Sequence, residues 1–271
     1  MLKRYDPANP ELLKSAVCFA DILGFSQLVL EAQAQGKGNA LLKQLHRILT
    51  TEYKKLKPDK DYVGILKSFT DNIVIGFPIY DDGESQLGSI FLGFADFQTA
   101  LSLNGFFVRG GVSIGDYYGD DEFAYGPSII EAHDLEANRA IHPRIILSAD
   151  AVRMVKSHLQ YYADPRHSPQ SKDVLIDSTD GEWFINYLES FMSDVRDYGD
   201  YAIALSGLSK HKKAITDNLA KYQGNQRIFS KYQWAAEYHN YFCNFNFKSQ
   251  FLRTHNLLIP QHTNGNFSTI A

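Results

Sequence analysis

Residues 16–26, with the sequence AVCFADILGFS, join an apolar run to a glycine turn. The run at residues 16–22 combines small, β-branched and aromatic side chains, which predicts a short buried strand with Asp21 near its end. The turn Leu23-Gly24-Phe25 predicts the start of a helix, for which Ser26 is a suitable N-cap. This stretch therefore places an acidic side chain and the beginning of a helix at one edge of a sheet.

Helical and β-strand patterns alternate after this stretch. An apolar stripe at helical spacing follows Gly36 and Gly38, and Pro58 ends it. Residues 62–68 and 72–78 predict two strands joined as a hairpin through Phe69-Thr70-Asp71, with Asp71 at the tip. The apolar residues of 87–101 recur at helical spacing, and residues 106–115 predict another strand.

The order up to this point is strand, helix, helix, strand, strand, helix, strand. It predicts an α/β protein, specifically an α+β sandwich with a ferredoxin-like or palm-type core, rather than a doubly wound Rossmann sheet. The sequence contains neither a G-x-G-x-x-G segment nor a Walker A loop, which are the usual signatures of Rossmann and P-loop nucleotide sites.

The second half of the chain is predicted to add helices to this core. Residues 127–140 predict a helix with Pro127 in the first position, and residues 144–148 predict a strand. Short strands are expected on both sides of Thr179-Asp180-Gly181, and from about residue 185 the chain is helical. We expect three parts: a core domain at residues 1–188, a helical extension packed on it at residues 189–258, and a flexible tail at residues 259–271.

The composition is that of a globular protein. The chain has 271 residues, of which 44% are hydrophobic and 21% charged, and this excludes a disordered chain, a collagen-like repeat and a long coiled coil. Its formal net charge of −4 argues against a protein that mainly grips nucleic acid. Two cysteines in apolar surroundings favour buried thiols in a reducing cytoplasm. No signal peptide and no apolar stretch near the roughly 20 residues of a membrane helix is found, so no membrane association is expected.

Asp21 and Asp71 are the candidate functional pair. In the predicted topology their strands are neighbours, so the two carboxylates converge at one sheet edge. Oxygen ligands placed together suit Mg²⁺ or Mn²⁺ with substrate phosphates completing the shell, and two such ions stabilise both oxygens of a phosphoryl displacement. Gly24 lets the backbone approach a phosphate, and the following helix directs free N–H groups at it. The alternative is that both acids are solvated loop residues.

Three segments resemble the class III nucleotide cyclases. Asp21-Ile22-Leu23-Gly24-Phe25-Ser26 resembles their D-I-x-G-F-[ST] opening, and residues 67–71 (KSFTD) resemble their second metal segment, with Thr70 where glycine is usual. Residues 109–115 (RGGVSIG) resemble their R-x-G-I-H-x-G strand. The resemblance covers roughly residues 16–150 and implies a cyclase catalytic domain within residues 1–188.

The resemblance also implies a mechanism and an assembly. Two metal ions would be held by Asp21, the carbonyl of Ile22 and Asp71, while the ribose 3′-oxygen attacks the α-phosphate and pyrophosphate leaves. The substrate-binding residues would be Gly24, Phe25, Ser26, Tyr62, Lys67 and Arg109. The enzyme would be a homodimer with its sites at the interface.

Within the superfamily, the chain is most similar to the pyrimidine cyclases of bacterial Pycsar anti-phage systems. The similarity rests on Gly126-Pro127, on residues 132–136 (AHDLE) and 143–145, and on two motifs in the helical tail, at residues 231–234 and 238–240. It implies turnover of UTP, favoured over CTP, and a separate effector that senses the cyclic nucleotide. Tyr62 and Arg109 would then shape a small base pocket, with Arg109 donating to base carbonyl oxygens.

Two departures from the purine cyclases leave alternatives open. The transition-state asparagine and arginine of those enzymes correspond to Ile130 and Asp134, so Arg139 and Arg144 are candidate replacements. Lys67 stands where purine cyclases read the base, which would also permit ATP or GTP. An adenylate or guanylate cyclase and a catalytically dead cyclase-like interaction module therefore remain alternatives.

The acidic segment at residues 119–123 (GDDEF) resembles the signature of diguanylate cyclases. That signature belongs at the tip of the central hairpin, where this chain has Asp71. A solvated acidic turn is the favoured interpretation of residues 119–123.

Overall fold

The first strand, β1 (Leu13–Ile22), lies at the centre of the sheet because its middle is apolar on both faces. Ala16, Cys18, Ala20 and Ile22 face the main hydrophobic cluster, while Val17 faces a smaller cluster on the opposite side. The structure, a computed structural model, describes residues 4–57 and 64–271. A strand buried on both faces needs neighbours on both edges, and β1 pairs along both.

Eight further strands are present among the described residues. They are β2 (Ile65–Phe69), β3 (Asn72–Pro78), β4 (Val108–Gly119), β5 (Ala124–Tyr125), β6 (Ile145–Leu147), β7 (Val174–Asp177), β8 (Glu182–Ile185) and β9 (Phe267–Thr269).

The described helices surround this sheet. They are α1 (Phe25–Ala34), α2 (Gly38–Leu56), α3 (Glu84–Ser102), α4 (Pro127–Asp134), α5 (Ala149–Leu159), α6 (Gln170–Asp173), α7 (Ser193–Tyr198), α8 (Ala202–Lys221), α9 (Gln226–Asn246) and α10 (Ser249–Thr254). A π-helical turn (Leu135–Arg139) continues α4, and 3₁₀ turns cover Pro165–His167 and Tyr187–Phe191.

The sheet order is β2-β3-β1-β4-β6-β8-β7-β9, with β5 paired to β4 as a hairpin. In the first four strands β1 is antiparallel to both β3 and β4, and β3 separates β1 from β2. This is the split β-α-β arrangement of a ferredoxin-like core. The mixed α/β architecture and the order of elements predicted from the sequence are confirmed.

Two details of the second half differ from the sequence prediction. The helix at residues 127–140 is α only to Asp134 and then widens into the π-helical turn. Helix α5 follows β6 directly, and its start is fixed by the Ser148 side chain, which accepts a hydrogen bond of 3.2 Å from the Ala151 N–H. The predicted end of α2 at Pro58 lies outside the described residues.

The C-terminal helices share the main hydrophobic cluster with the sheet. A buried ion pair of the core lies at this contact: Arg144 is fully buried, and its guanidinium contacts Asp177 Oδ2 at 2.6 Å and also Asp180. The Trp234 Nε1–H of α9 donates to the same Asp177 oxygen at 2.7 Å. Because a buried charge must be neutralised, this network holds α9 against β7 and β8. Packing of the extension on the core is thus observed, while the boundary at residue 188 stays a prediction.

The expectation of a flexible tail over residues 259–271 is wrong at its end. Phe267–Thr269 form β9, antiparallel to β7, and the Phe267 ring packs against Phe184, Trp234 and Tyr238. A single large aromatic side chain and three paired residues are enough to attach the segment to the sheet edge. No helix of the described residues is both long and apolar enough to cross a bilayer.

A chain of buried hydrogen bonds links α8 and α9. The Tyr187 Oη–H donates to His211 Nε2 at 2.9 Å, the Nδ1 atoms of His211 and His239 are 2.9 Å apart, and the His239 Nε2–H donates to the Leu257 carbonyl at 3.0 Å. One proton between the two Nδ1 atoms satisfies every group when both rings are neutral. Burial lowers the pKa of His239 to about 4 and that of His211 well below its usual range.

Mild acid should therefore destabilise the protein through these two histidines. Their pKa values are lower in the folded chain than in the unfolded chain, so below about pH 6.5 the unfolded state binds more protons. Between about pH 7.5 and 5.5, each ring should remove roughly 1 kcal/mol from the free energy of unfolding. Urea unfolding at the two pH values measures this change. Between them, the free energy of unfolding of the His239→Gln variant should fall by about 1 kcal/mol less than that of the native chain. The exposed His46→Gln is the control, and an equal pH response of H239Q and the native chain would contradict the assignment.

Candidate functional site

Asp21 and Asp71 meet at one edge of the sheet, as the sequence predicts. Asp21 is the penultimate residue of β1, and the register places its neighbour Ala20 opposite Ile73 of β3. Asp71 lies two residues before Ile73, in the tight turn between β2 and β3, and is buried. Their carboxyl groups are close enough to share a hydrogen bond. The interpretation of the pair as separate solvated loop acids is thus wrong.

The turn that carries Asp71 is held in a left-handed conformation. Thr70, which stands where the resembling family has glycine, has a φ of 58°. Its single hydroxyl proton lies between the Phe69 carbonyl oxygen, 2.6 Å from Oγ1, and Asp71 Oδ1, 3.0 Å from Oγ1, so the hydroxyl lies beside the carboxylate. Threonine thus keeps the backbone geometry that glycine would adopt there and adds a contact to the acid.

Negative charge exceeds positive charge around Asp21. Burial, the hydrogen bond with Asp71, and the charges of Asp71 and Glu136 together raise the pKa of Asp21 well above its usual range. Arg109, opposite Asp21 in the β1–β4 register, opposes this shift. Its Nη2 lies 3.7 Å from Asp21 Oδ2 but only 2.6 Å from Glu136 Oε1, so Arg109 forms its stronger ion pair with Glu136. The site therefore holds more acidic groups than Arg109 can neutralise, and Asp21 retains a proton to a higher pH than an ordinary aspartate does.

Helix α1 begins directly after this pair. Gly24 is its N-cap with a φ of 73°, and the first helical hydrogen bond runs from the Leu28 N–H to the Gly24 carbonyl at 3.0 Å. Within the part of the chain that the structure describes, no side chain caps this helix. The N–H groups of Phe25, Ser26 and Gln27 therefore have no capping side-chain oxygen as acceptor. The open space on the Cα of Gly24 leaves this turn accessible to a ligand.

The prediction of Ser26 as N-cap is wrong. Because Gly24 adopts the left-handed conformation, the helix starts at Phe25 and Ser26 is already its second residue. Ser26 is exposed and Phe25 packs partly on the main hydrophobic cluster, whereas Ile22 is buried between Asp21 and the turn. Both Ser26 and Gly24 still lie in the first turn of the helix, where a phosphate would bind.

Other predicted site residues lie elsewhere. The Lys67 Nζ–H donates to the Asp121 carbonyl in the turn between β4 and β5, and thus contacts that turn within this chain. Tyr62 lies outside the described residues. Arg139 forms a bidentate ion pair with Glu182, and Arg144 is in the buried network, so neither arginine is available as a transition-state residue.

A cavity of about 330 Å³ lies beside Arg109 and the start of α1. One side consists of Leu23, Gly24 and Gln27 from the turn and α1, with Arg109 from β4. The opposite side belongs to the C-terminal extension and includes Arg227 and Lys231. Sequence reasoning assigned no role to these two cations, although residues 231–234 contributed to the resemblance. Their i and i+4 spacing on one helix face was the available signal.

The residues fit a divalent cation that shares its shell with a ligand. Among residues 4–57 and 64–271 no group of three or more His, Cys, Asp or Glu side chains is arranged to hold a metal. Two close carboxylates are the donor set with which Mg²⁺ binds when waters and phosphate oxygens complete its octahedron. Such a cation would displace the proton that the pair retains and would neutralise both carboxylates.

Comparisons with known proteins give partial structural similarity. No protein-family model and no curated protein matches the chain. A class III adenylyl cyclase-like ATP-binding protein from Pseudomonas aeruginosa is 16% identical with a TM-score of 0.41 over 57% of this chain and 38% of that one. An adenylate/guanylate cyclase/hydrolase from Silicibacter pomeroyi is 19% identical with a TM-score of 0.38 over 54% of this chain and 82% of that one. This chain thus spans well under half the length of the Pseudomonas protein.

Asp21→Asn should stabilise the metal-free protein. The amide keeps the side-chain shape but removes a partly buried carboxyl group whose ionisation Asp71 and Glu136 oppose, so the free energy of unfolding should rise by on the order of 1 kcal/mol. Stabilisation by Mn²⁺, measured as a rise in melting temperature above that in EDTA, should be present in the native chain and lost in the variant.

Asp197→Asn, on the exposed surface of α7, is the matched control and should change neither quantity. A D21N protein that is less stable than the native chain, or that Mn²⁺ stabilises as strongly, would show that the pair is a structural feature.

Proposed function

We propose that the chain is a nucleotide cyclase of the class III kind. The observation that carries the proposal is the closeness of the partly buried Asp21 and the buried Asp71, next to the start of α1, which has no side-chain cap. One feature suits divalent cations and the other suits phosphate oxygens, and a metal–triphosphate needs both. The sequence resemblance at residues 21–26, 67–71 and 109–115 supports the same assignment.

In this proposal, Asp21, Asp71 and the Ile22 carbonyl would hold two Mg²⁺ or Mn²⁺ ions. When bound, these ions supply Lewis-acid stabilisation of the attacking and leaving oxygens. The first turn of α1 donates N–H groups to the phosphates, and the missing Cβ of Gly24 allows close approach. Phe25 anchors that turn on the core, which keeps the N–H groups oriented. The ribose 3′-oxygen then attacks the α-phosphate, giving the 3′,5′-cyclic mononucleotide and pyrophosphate.

For the substrate we propose a pyrimidine nucleoside triphosphate, UTP in preference to CTP. Arg109 supports this role because it lies at both the aspartate pair and the cavity, where it can contact a bound nucleotide. The contact of Lys67 with the Asp121 carbonyl also fits a site that does not use this lysine to read a purine within the same chain. We further propose a cytoplasmic homodimer with sites at the interface, whose cyclic product acts on a separate effector in anti-phage defence.

Incubation with each of the four labelled nucleoside triphosphates and Mn²⁺ tests the activity. We expect a cyclic product from UTP, less from CTP, and at least a hundredfold loss in Asp71→Asn because one of the two carboxylate ligands of the metal ions is removed. The Asp197→Asn control should keep the native rate.

The other outcomes select the alternatives. Preferential turnover of ATP or GTP would identify a purine cyclase and overturn the pyrimidine assignment. No cyclic product from any triphosphate would indicate a catalytically inactive cyclase-like module. This outcome is worth testing because position 134 holds an aspartate, and Arg139 and Arg144 are both engaged in ion pairs.

A further inference from the structure

The cavity beside the aspartate pair is built from both ends of the chain. Leu23, Gly24 and Gln27 line it on the core side, and the first turns of α9 line it on the other. It meets the aspartates through Arg109, which touches Asp21 and also lines the cavity. A ligand that extends from Asp21 past Gly24 would therefore enter this space.

Two cations of the extension point to the chemistry of that ligand. Arg227 is exposed and Lys231 half-buried, and among residues 4–57 and 64–271 neither forms an ion pair within 4.0 Å. Burial and the charges of Arg109 and Arg227 lower the pKa of Lys231, and Glu136 only partly compensates. Cations that crowd one cavity without carboxylate partners favour a polyanion.

The backbone of α9 adds to this preference. Asn225 is the N-cap and its side chain accepts from the Ile228 N–H, so the helix begins at the cavity wall. The cavity thus lies between the N-terminal ends of α1 and α9, which both carry partial positive charge. An anion between them is favoured by both helices.

The wall formed by the extension is fixed in place. Lys221 Nζ at the end of α8 is 3.0 Å from Glu31 Oε2 of α1 and also donates to the Tyr222 hydroxyl. Tyr222 and Tyr232 stack with centroids 5.7 Å apart and nearly parallel rings, and Tyr232 packs edge-on against Phe107. The cations of α9 therefore face α1 before any ligand binds, which lowers the entropic cost of binding.

We propose that Arg227 and Lys231 bind the β- and γ-phosphates of the nucleoside triphosphate within the same chain, and so the C-terminal extension completes the nucleotide site. This rests on the proposed function for the identity of the ligand. It gives the extension a direct role in substrate binding, and it supplies cations that the chain lacks at Ile130 and Asp134. Inorganic pyrophosphate, which carries the same adjacent phosphates, is the simplest probe.

Calorimetric titration of the full chain with pyrophosphate in EDTA tests the cavity without metal or catalysis. Arg227→Gln and Lys231→Met should each weaken binding about tenfold or more, as expected for loss of one charge-assisted hydrogen bond. The exposed cations Arg253 and Lys248 provide matched controls, and Arg253→Gln and Lys248→Met should bind as the native chain does. Urea unfolding verifies that each variant is folded.

Three results would overturn the proposal: absent binding of pyrophosphate to the native chain, native-like binding in folded R227Q and K231M proteins, or equal losses in the control variants. If the variants lose binding of pyrophosphate but retain native affinity for UTP in the presence of Mn²⁺, the cavity is an anion site separate from the substrate, which also overturns it.

The test separates this inference from the cyclase assignment. Where a nucleoside triphosphate is turned over, R227Q and K231M should raise its KM about tenfold or more while the controls keep the native KM. If no triphosphate is turned over, the cyclase assignment fails. The role of Arg227 and Lys231 in phosphate binding would still be supported if R227Q and K231M lose binding of both pyrophosphate and UTP.

Discussion

The close approach of two acidic side chains, the partly buried Asp21 and the buried Asp71, is the constraint around which the site is organised. Left alone, this pair repels, and burial raises the energy of the charged forms further. The chain imposes it through backbone geometry: β1 and β3 are paired along their length, and the turn after β2 is short. Many strand hydrogen bonds thus hold two side chains together that would otherwise separate. Such stored repulsion is typical of a site that is completed by a ligand.

Arg109 connects the acids to the rest of the molecule, and its own position depends on two glycines. A Cβ on Gly111 would lie 2.5 Å from the Ala132 carbonyl oxygen, and one on Gly110 would lie 2.4 Å from the Phe19 carbonyl oxygen. Because glycine has no Cβ at these two positions, α4 can approach β4 closely and β4 can approach β1 closely. The π-helical turn after α4 then places the buried Glu136 against Arg109. A π-turn in this position is consistent with a local distortion kept for the site.

The sequence allowed the first half of the fold and the aspartate pair to be predicted because both depend on local patterns. Strand periodicity and a short hairpin suffice to bring Asp21 and Asp71 to one edge. The prediction of Ser26 as the cap failed because one φ angle at Gly24 moved the helix start. The attachment of Phe267 and the burial of Arg144 depend on partners that are far away in sequence, Trp234 among them, and no local pattern reveals those.

The same reasoning explains why Arg227 and Lys231 were not recognised as site residues from the sequence. About two hundred positions separate them from Gly24, and a basic helix face looks alike whether it contacts water or another element. The contact of Lys221 in α8 with Glu31 in α1 helps to place that face of α9 at the cavity, opposite the start of α1. In this arrangement the acids that suit the metal and the cations that suit the phosphates lie on opposite sides of Arg109. A metal–triphosphate carries a cation for the acids and phosphate anions for Arg227 and Lys231, so one ligand can neutralise both sets of side chains. A free metal ion or a free anion would neutralise only one set.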